Sequence, residues 1–196
     1  AIGECVREAS WRLRTLLRTR RFHTDADLLM LFKAHVLSFL EYKSPAIFHA
    51  SETALEPLNR VLFSFLRDIC MTAQEAILHF NMLPLASRRD IAMLGVLHRA
   101  VLRQGPQQFW QWAVLDPSTL RTSARFKRNT LRPLIEFSCT NRLRIGRQSL
   151  FGMIHPYNML PNNVVAAETA SDFQRRLTDL MKQTARQDIP MWPHIY

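Results

Sequence analysis

The sequence predicts a mainly α-helical chain: a helical bundle, then a basic and partly extended segment, then a short C-terminal helix. Three observations predict it. Apolar residues recur at helical spacing through most of the first 115 positions. Capping signatures stand before several of those stripes. Only 5 of the 196 residues are glycine, while Leu, Ala, Arg and Met are plentiful, a composition that favours helix. The apolar share, 47%, is enough for a packed core. The parts fall at 1–115 for the bundle, 116–149 for the basic segment and 150–196 for the C-terminal loop and helix.

The first helix is expected over about 4–21, with Val6, Leu13, Leu16 and Leu17 as its apolar stripe. Arg7, Arg14, Arg18 and Arg21 follow at spacings of 7, 4 and 3, which puts them on one face, away from much of that stripe. Thr24 with Asp27 reads as an N-cap with an acidic first turn. The helix behind it, about 25–42, is apolar nearly all round and should be the most buried element; Pro45 ends it. Another helix starts between Thr53 and Pro57, because proline suits only a first turn, and continues through Leu58, Val61, Leu62, Phe65, Leu66 and Ile69. Thr72 to Glu75 forms a capping box for a short helix to about Phe80. Ser87 to Asp90 opens a further helix that ends at Gly105-Pro106, and "PQQFWQWAVL" reads as one short aromatic-packed helix. Helical period fades from Asp116-Pro117 to about 149, where "LIEFSC" (134–139) has strand character. A last helix, about 171–184, opens on Ser171-x-x-Gln174, a second kind of capping box.

The net charge of +10 is unevenly spread. Residues 1–23 carry net +4, residues 24–83 net −3, residues 84–149 net +9, and residues 150–196 balance. Two cationic blocks around an acidic middle suit a polyanion, since each phosphate neutralised releases condensed counterions. A solvated basic surface is the plainer reading of the same numbers. Arginine far outnumbers lysine, and its guanidinium is the better phosphate fork. The candidate nucleic-acid-binding residues are therefore Arg7, Arg14, Arg18 and Arg21 in the first block, and Arg125, Lys127, Arg128, Arg132, Arg142 and Arg144 in the second. Phe126 and Phe137 lie inside the second block, as base-stacking rings or as a small hydrophobic anchor.

Other chemistry finds little support. The seven His and three Cys show no CxxC, HExxH or HxxxH spacing, and His35 and His98 fall on apolar helix faces, as packed core histidines do. Cys5, Cys70 and Cys139 are odd in number and far apart, which fits a reducing compartment better than a disulfide framework. No P-loop, GxGxxG, GxSxG or Asp-Asp pair occurs, and Glu52 and Glu56 read as surface acids. Catalytic and metal-ligating residues are thus expected to be none. No apolar run reaches about 18 residues, so no membrane partner is expected. The chain does not open on Met, which points to a longer parent.

Several stretches carry a resemblance. "SLFGMIHPYNMLPNNVVAAETASDFQRRL" resembles the C-terminal segment of non-LTR (LINE-type) retrotransposon reverse transcriptases, in Tyr157, Asn158, Leu160, Pro161, Val164, Val165, Phe173, Arg176 and Leu177. "LLMLFKAHVLSFLEYKSPAIFHAS" is similar to the family's post-palm segment, through Leu40, Glu41, Tyr42 and Ser44, with Lys43 where the family often has Gly. "PLNRVLFSFLRDI" and "PLASRRDIAMLGVLHRAV" look like the helices that follow. The resemblance covers roughly residues 5 to 183 and implies the thumb and post-thumb region of an RNA-directed DNA polymerase, a helical bundle that grips a primer–template duplex by its backbone. The family's Tyr-x-Asp-Asp centre, and with it magnesium, belongs to a palm that this sequence lacks. The implied partners are RNA, DNA or an RNA–DNA hybrid and the remainder of the polymerase, in the nucleus or a ribonucleoprotein. A stand-alone basic helical nucleic-acid-binding protein, a protein-interaction module facing acidic partners, and a degenerate element fragment are the alternatives.

Overall fold

The computed structural model describes residues 2–111, 113, 131 and 149–187. They are mainly helical, with no β-strand among the described residues. The strand expected at 134–139 lies outside them. The chain divides into two compact units, Ala1–Arg89 with Leu180–Tyr196, and Asp90–Asp179.

In the first unit, α1 spans Ile2–Arg18 and buries Cys5, Ala9, Leu13 and Leu16. It stops short of the expected Arg21. No residue from Arg18 to Asp27 is buried, so tertiary packing does not sustain the helix there. The Thr19 hydroxyl donates to the Leu16 carbonyl at 2.7 Å, and Arg20–Phe22 tightens into a 3-10 turn.

Helix α2, Asp25–Phe32, opens on a reciprocal capping box. The Thr24 hydroxyl accepts from the Asp27 N–H, and the Asp27 carboxylate accepts from the Thr24 N–H at 3.1 Å. The Thr24 hydroxyl also donates to the Asp27 carboxylate at 2.7 Å; this bond first, then that from the Thr24 N–H, holds the Asp27 carboxyl below its ordinary pKa. The single helix expected to Tyr42 is interrupted by a π-helical turn, Lys33–Leu37, before α3, Ser38–Tyr42. A wider turn shifts the register. It takes His35 off the apolar face, and His35 is exposed instead of packed in the core. Arg12 of α1 serves the turn: it donates to the His35 carbonyl at 3.1 Å, pairs with Glu8 at 2.9 Å, and covers the Phe39 ring at 4.2 Å.

Helix α4, Ser44–Ile47, carries Pro45 in its first turn. Helix α5, Glu52–Asp68, is capped by Ser51, whose hydroxyl accepts from the Ala54 N–H at 3.3 Å. That cap starts the helix early and leaves Pro57 beyond the first turn, where it was not expected. The α5 stripe, Leu55, Leu58, Val61, Leu62, Phe65 and Leu66, is buried. Phe65 stacks on Phe32 with ring centres 4.0 Å apart and planes 5° from parallel.

Helix α6, Ala73–Phe80, follows the Thr72–Glu75 capping box as expected. Two cations finish it. Lys33 donates to the Phe80 carbonyl, and Arg88 donates to the Asn81 carbonyl at 3.2 Å while pairing with Glu41. Burial, then Arg88 and Lys182, push the Lys33 pKa down.

Helix α7 spans Leu85–Val101. It starts ahead of the expected Ser87, with the Pro84 carbonyl accepting from the Arg88 N–H at 3.0 Å, and Ser87 is buried inside it. It ends at Val101, four residues before Gly105, because Arg103 takes a left-handed conformation, φ 57°. The Gln104 N–H then returns to the Arg99 carbonyl at 2.9 Å, the bond of a Schellman cap. Cys70 closes α5 in the same way, at φ 53°, with the Met71 N–H on the Leu66 carbonyl at 2.9 Å. Glycine is the residue such positions favour. Exposed Cys70→Gly is expected to raise stability by about 0.5–1 kcal/mol. Urea unfolding should show a higher midpoint at unchanged slope; an unmoved or lower midpoint contradicts the cap.

The second unit holds Asp90–Val101 of α7, then α8 (Gln107–Trp110), α9 (Ile154–Met159), α10 (Asn162–Val165) and α11 (Ala170–Arg186) up to Asp179. The expected loop before the last helix is therefore two short helices, separated at Leu160-Pro161. Thr169, not Ser171, caps α11: its hydroxyl accepts from the Asp172 N–H at 3.1 Å. Ser171 is inside the helix, and Gln174, its expected box partner, donates to the Ile91 carbonyl instead. The bonds from Arg175 and Arg176 hold the Asp172 carboxyl low. Gly95 lets α11 approach α7: a Cβ there would lie 2.3 Å from the Gln174 amide nitrogen.

Candidate nucleic-acid interface

On α1, three of the four expected arginines share a face. At about 100° per residue, Arg7, Arg14 and Arg18 project within about 40° of one another. Cys5, Ala9, Leu13 and Leu16 are buried on the opposite side, and all three arginines are exposed. Arg21 does not join them. It sits on the 3-10 turn with its guanidinium 4.7 Å from the ring centre of its neighbour Phe22. No carboxylate of the described residues lies within 4.0 Å of Arg7, Arg14, Arg18 or Arg21. Arg12, by contrast, is committed to the protein through Glu8 and the His35 carbonyl.

Arg14 also lines a cavity of about 490 Å³ between α1 and α5, floored by Leu13 and Val61 and carrying Arg60 and Asp68 as its other charges. Sequence reasoning missed one residue of this face. Trp11 stands four residues after Arg7 and three before Arg14, and is 62% exposed. That spacing was visible in the sequence; its exposure was not.

Arg125, Lys127, Arg128, Arg132, Arg142 and Arg144 lie outside the described residues, as do Phe126 and Phe137. Leu131, within that block in sequence, is described and buried. The Asn158 side chain clasps its backbone: the amide oxygen accepts from the Leu131 N–H at 2.9 Å, and the amide nitrogen donates to the Leu131 carbonyl at 2.8 Å. One asparagine thus satisfies both main-chain groups of a buried residue.

His98 is the packed core histidine it was expected to be, with no exposed surface. Its Nε2 lies 2.9 Å from the Ala167 carbonyl, and its Nδ1 lies 2.8 Å from the Tyr157 hydroxyl. A carbonyl only accepts, so Nε2 carries the proton and Nδ1 accepts from Tyr157. The imidazole stacks on Phe173 at 4.1 Å. Burial lowers the His98 pKa; the bond to Ala167 works against that. Tyr157, Asn158 and Phe173, which carry much of the family resemblance, thus organise the second unit. In the first unit, Glu41 of "LEYKS" pairs with Arg88 of "SRRD".

No group of three or more His, Cys, Asp or Glu side chains that could hold a metal occurs among the described residues. No helix of the described residues is long and apolar enough to cross a membrane. In comparisons with known proteins, no family, no curated protein and no solved structure matches this chain.

Proposed function

We propose that this chain grips RNA or an RNA–DNA hybrid through the nucleic-acid backbone, as the thumb and post-thumb part of a retroelement RNA-directed DNA polymerase. The observation that carries the grip is the arginine row Arg7, Arg14 and Arg18, exposed, free of carboxylate partners among the described residues, and opposite the buried stripe of α1. Along the axis the row advances by about 10 Å and then about 6 Å. Guanidinium groups in such a row suit contacts to backbone phosphates, which position a strand without reading its bases. The polymerase ancestry rests on the sequence resemblance, supported by the mainly helical architecture. Chemistry on the nucleic acid falls to the missing palm, inside a ribonucleoprotein.

Two measurements test the two halves. The affinity of the 196-residue chain for an RNA–DNA hybrid should fall linearly on a log–log plot against salt. No binding at low salt, or binding indifferent to salt, rejects the grip. The transcript upstream of Ala1 should encode Tyr-x-Asp-Asp in frame; a reading frame without it rejects the ancestry and leaves the grip standing.

A further inference from the structure

We infer that Trp11 is a base-stacking platform set into the arginine row of α1, which makes single-stranded nucleic acid, RNA or DNA alike, the favoured ligand of this face. The inference rests on the backbone-grip reading and deepens it. An indole this exposed gains nothing from the core. Its ring stands open to solvent, and its backbone carbonyl accepts from the Thr15 hydroxyl at 3.1 Å. Arg7 precedes it by four residues, and Arg14 and Arg18 follow by three and seven. Neighbours at three and four residues have Cβ atoms about 5–6 Å apart, so the ring sits among guanidinium groups. Glu8, the nearest acid on its flank, is held by Arg12 at 2.9 Å and so partly neutralised.

Arginine alone suits any polyanion. An aromatic face adds something only when a base is unpaired and can be laid on it. In a duplex the bases are stacked on each other and closed to the ring. The combination therefore selects strands with accessible bases, with the phosphates of the same strand on Arg7, Arg14 and Arg18.

The test uses the full chain and two fluorescein-labelled probes of equal length and charge, a 12-nucleotide oligothymidylate and the corresponding abasic strand. Wild type should bind the oligothymidylate roughly 5- to 100-fold more tightly, the range of one stacked base. Trp11→Ala should erase that preference without changing the abasic affinity, and Trp11→Phe should keep most of it. Equal wild-type binding of both probes, or an equal loss on both in Trp11→Ala, overturns the stacking role while the grip stands. No binding of either probe at low salt overturns the stacking role; the grip falls with it only if the RNA–DNA hybrid also fails to bind.

Discussion

His98→Ala is expected to destabilise the second unit by about 3–5 kcal/mol. The substitution removes a fully buried ring that stacks on Phe173 at 4.1 Å. It also strips partners from the Tyr157 hydroxyl and the Ala167 carbonyl. Tyr157→Phe leaves the ring packing in place and removes the hydroxyl's bond to Nδ1, so its cost should be smaller, about 1–3 kcal/mol. The pair of variants separates packing from hydrogen bonding. The same histidine sets a pH dependence. Its folded pKa lies below the ordinary 6.5, so the unfolded chain takes up the proton first. The stabilisation from neutral His98 is complete above about pH 6.5 and is lost as pH falls from there towards the folded pKa, at up to about 1.4 kcal/mol per pH unit. Urea unfolding of wild type and His98→Ala between pH 5 and 7.5 measures it: the stability difference between them should shrink on acidification. A difference that stays constant across the range would show that the imidazole is not held neutral.

Replacing Arg7, Arg14 and Arg18 together by alanine should remove about 2–3 from the slope of log affinity against log salt, because each arginine on a phosphate contributes about 0.7–0.9. Arg14→Ala with Arg18→Ala alone should flatten it by less. The loss should be similar for unrelated sequences, since phosphate contacts carry no base information. Arg12→Ala is the natural contrast. That arginine ties α1 to the π-helical turn through the His35 carbonyl, so its removal should lower thermal stability and leave the slope alone. If the triple variant keeps the wild-type slope, the α1 face is not the grip. Stability should be unchanged in the triple variant, because the three side chains are exposed and bond to nothing among the described residues.

Helix existence was legible where apolar period and a cap coincided. Thr24 with Asp27 and Thr72 with Glu75 start helices where the sequence says, because both halves of the box are local. Ser171-x-x-Gln174 has the same form and fails, because Thr169 caps first and Gln174 turns to the Ile91 carbonyl. The arginine face was legible as a spacing rule, which held for Arg7, Arg14 and Arg18 and broke for Arg21, where the helix had already ended.

By itself, then, the sequence determined the mainly helical class, the buried stripes of α1 and α5, and the row of arginines opposite one of them, since these follow from periodicity within single segments. Only the tertiary structure decided which residues of similar pattern go inside. His35 and His98 both lie on apolar faces in sequence, yet a π-helical turn exposes the first, while Tyr157, Ala167 and Phe173, some sixty to seventy-five residues away along the chain, enclose the second. The division has a physical origin: hydrogen bonds and caps within a turn are set by neighbours, whereas the burial and protonation state of a polar side chain depend on partners that only folding brings to it.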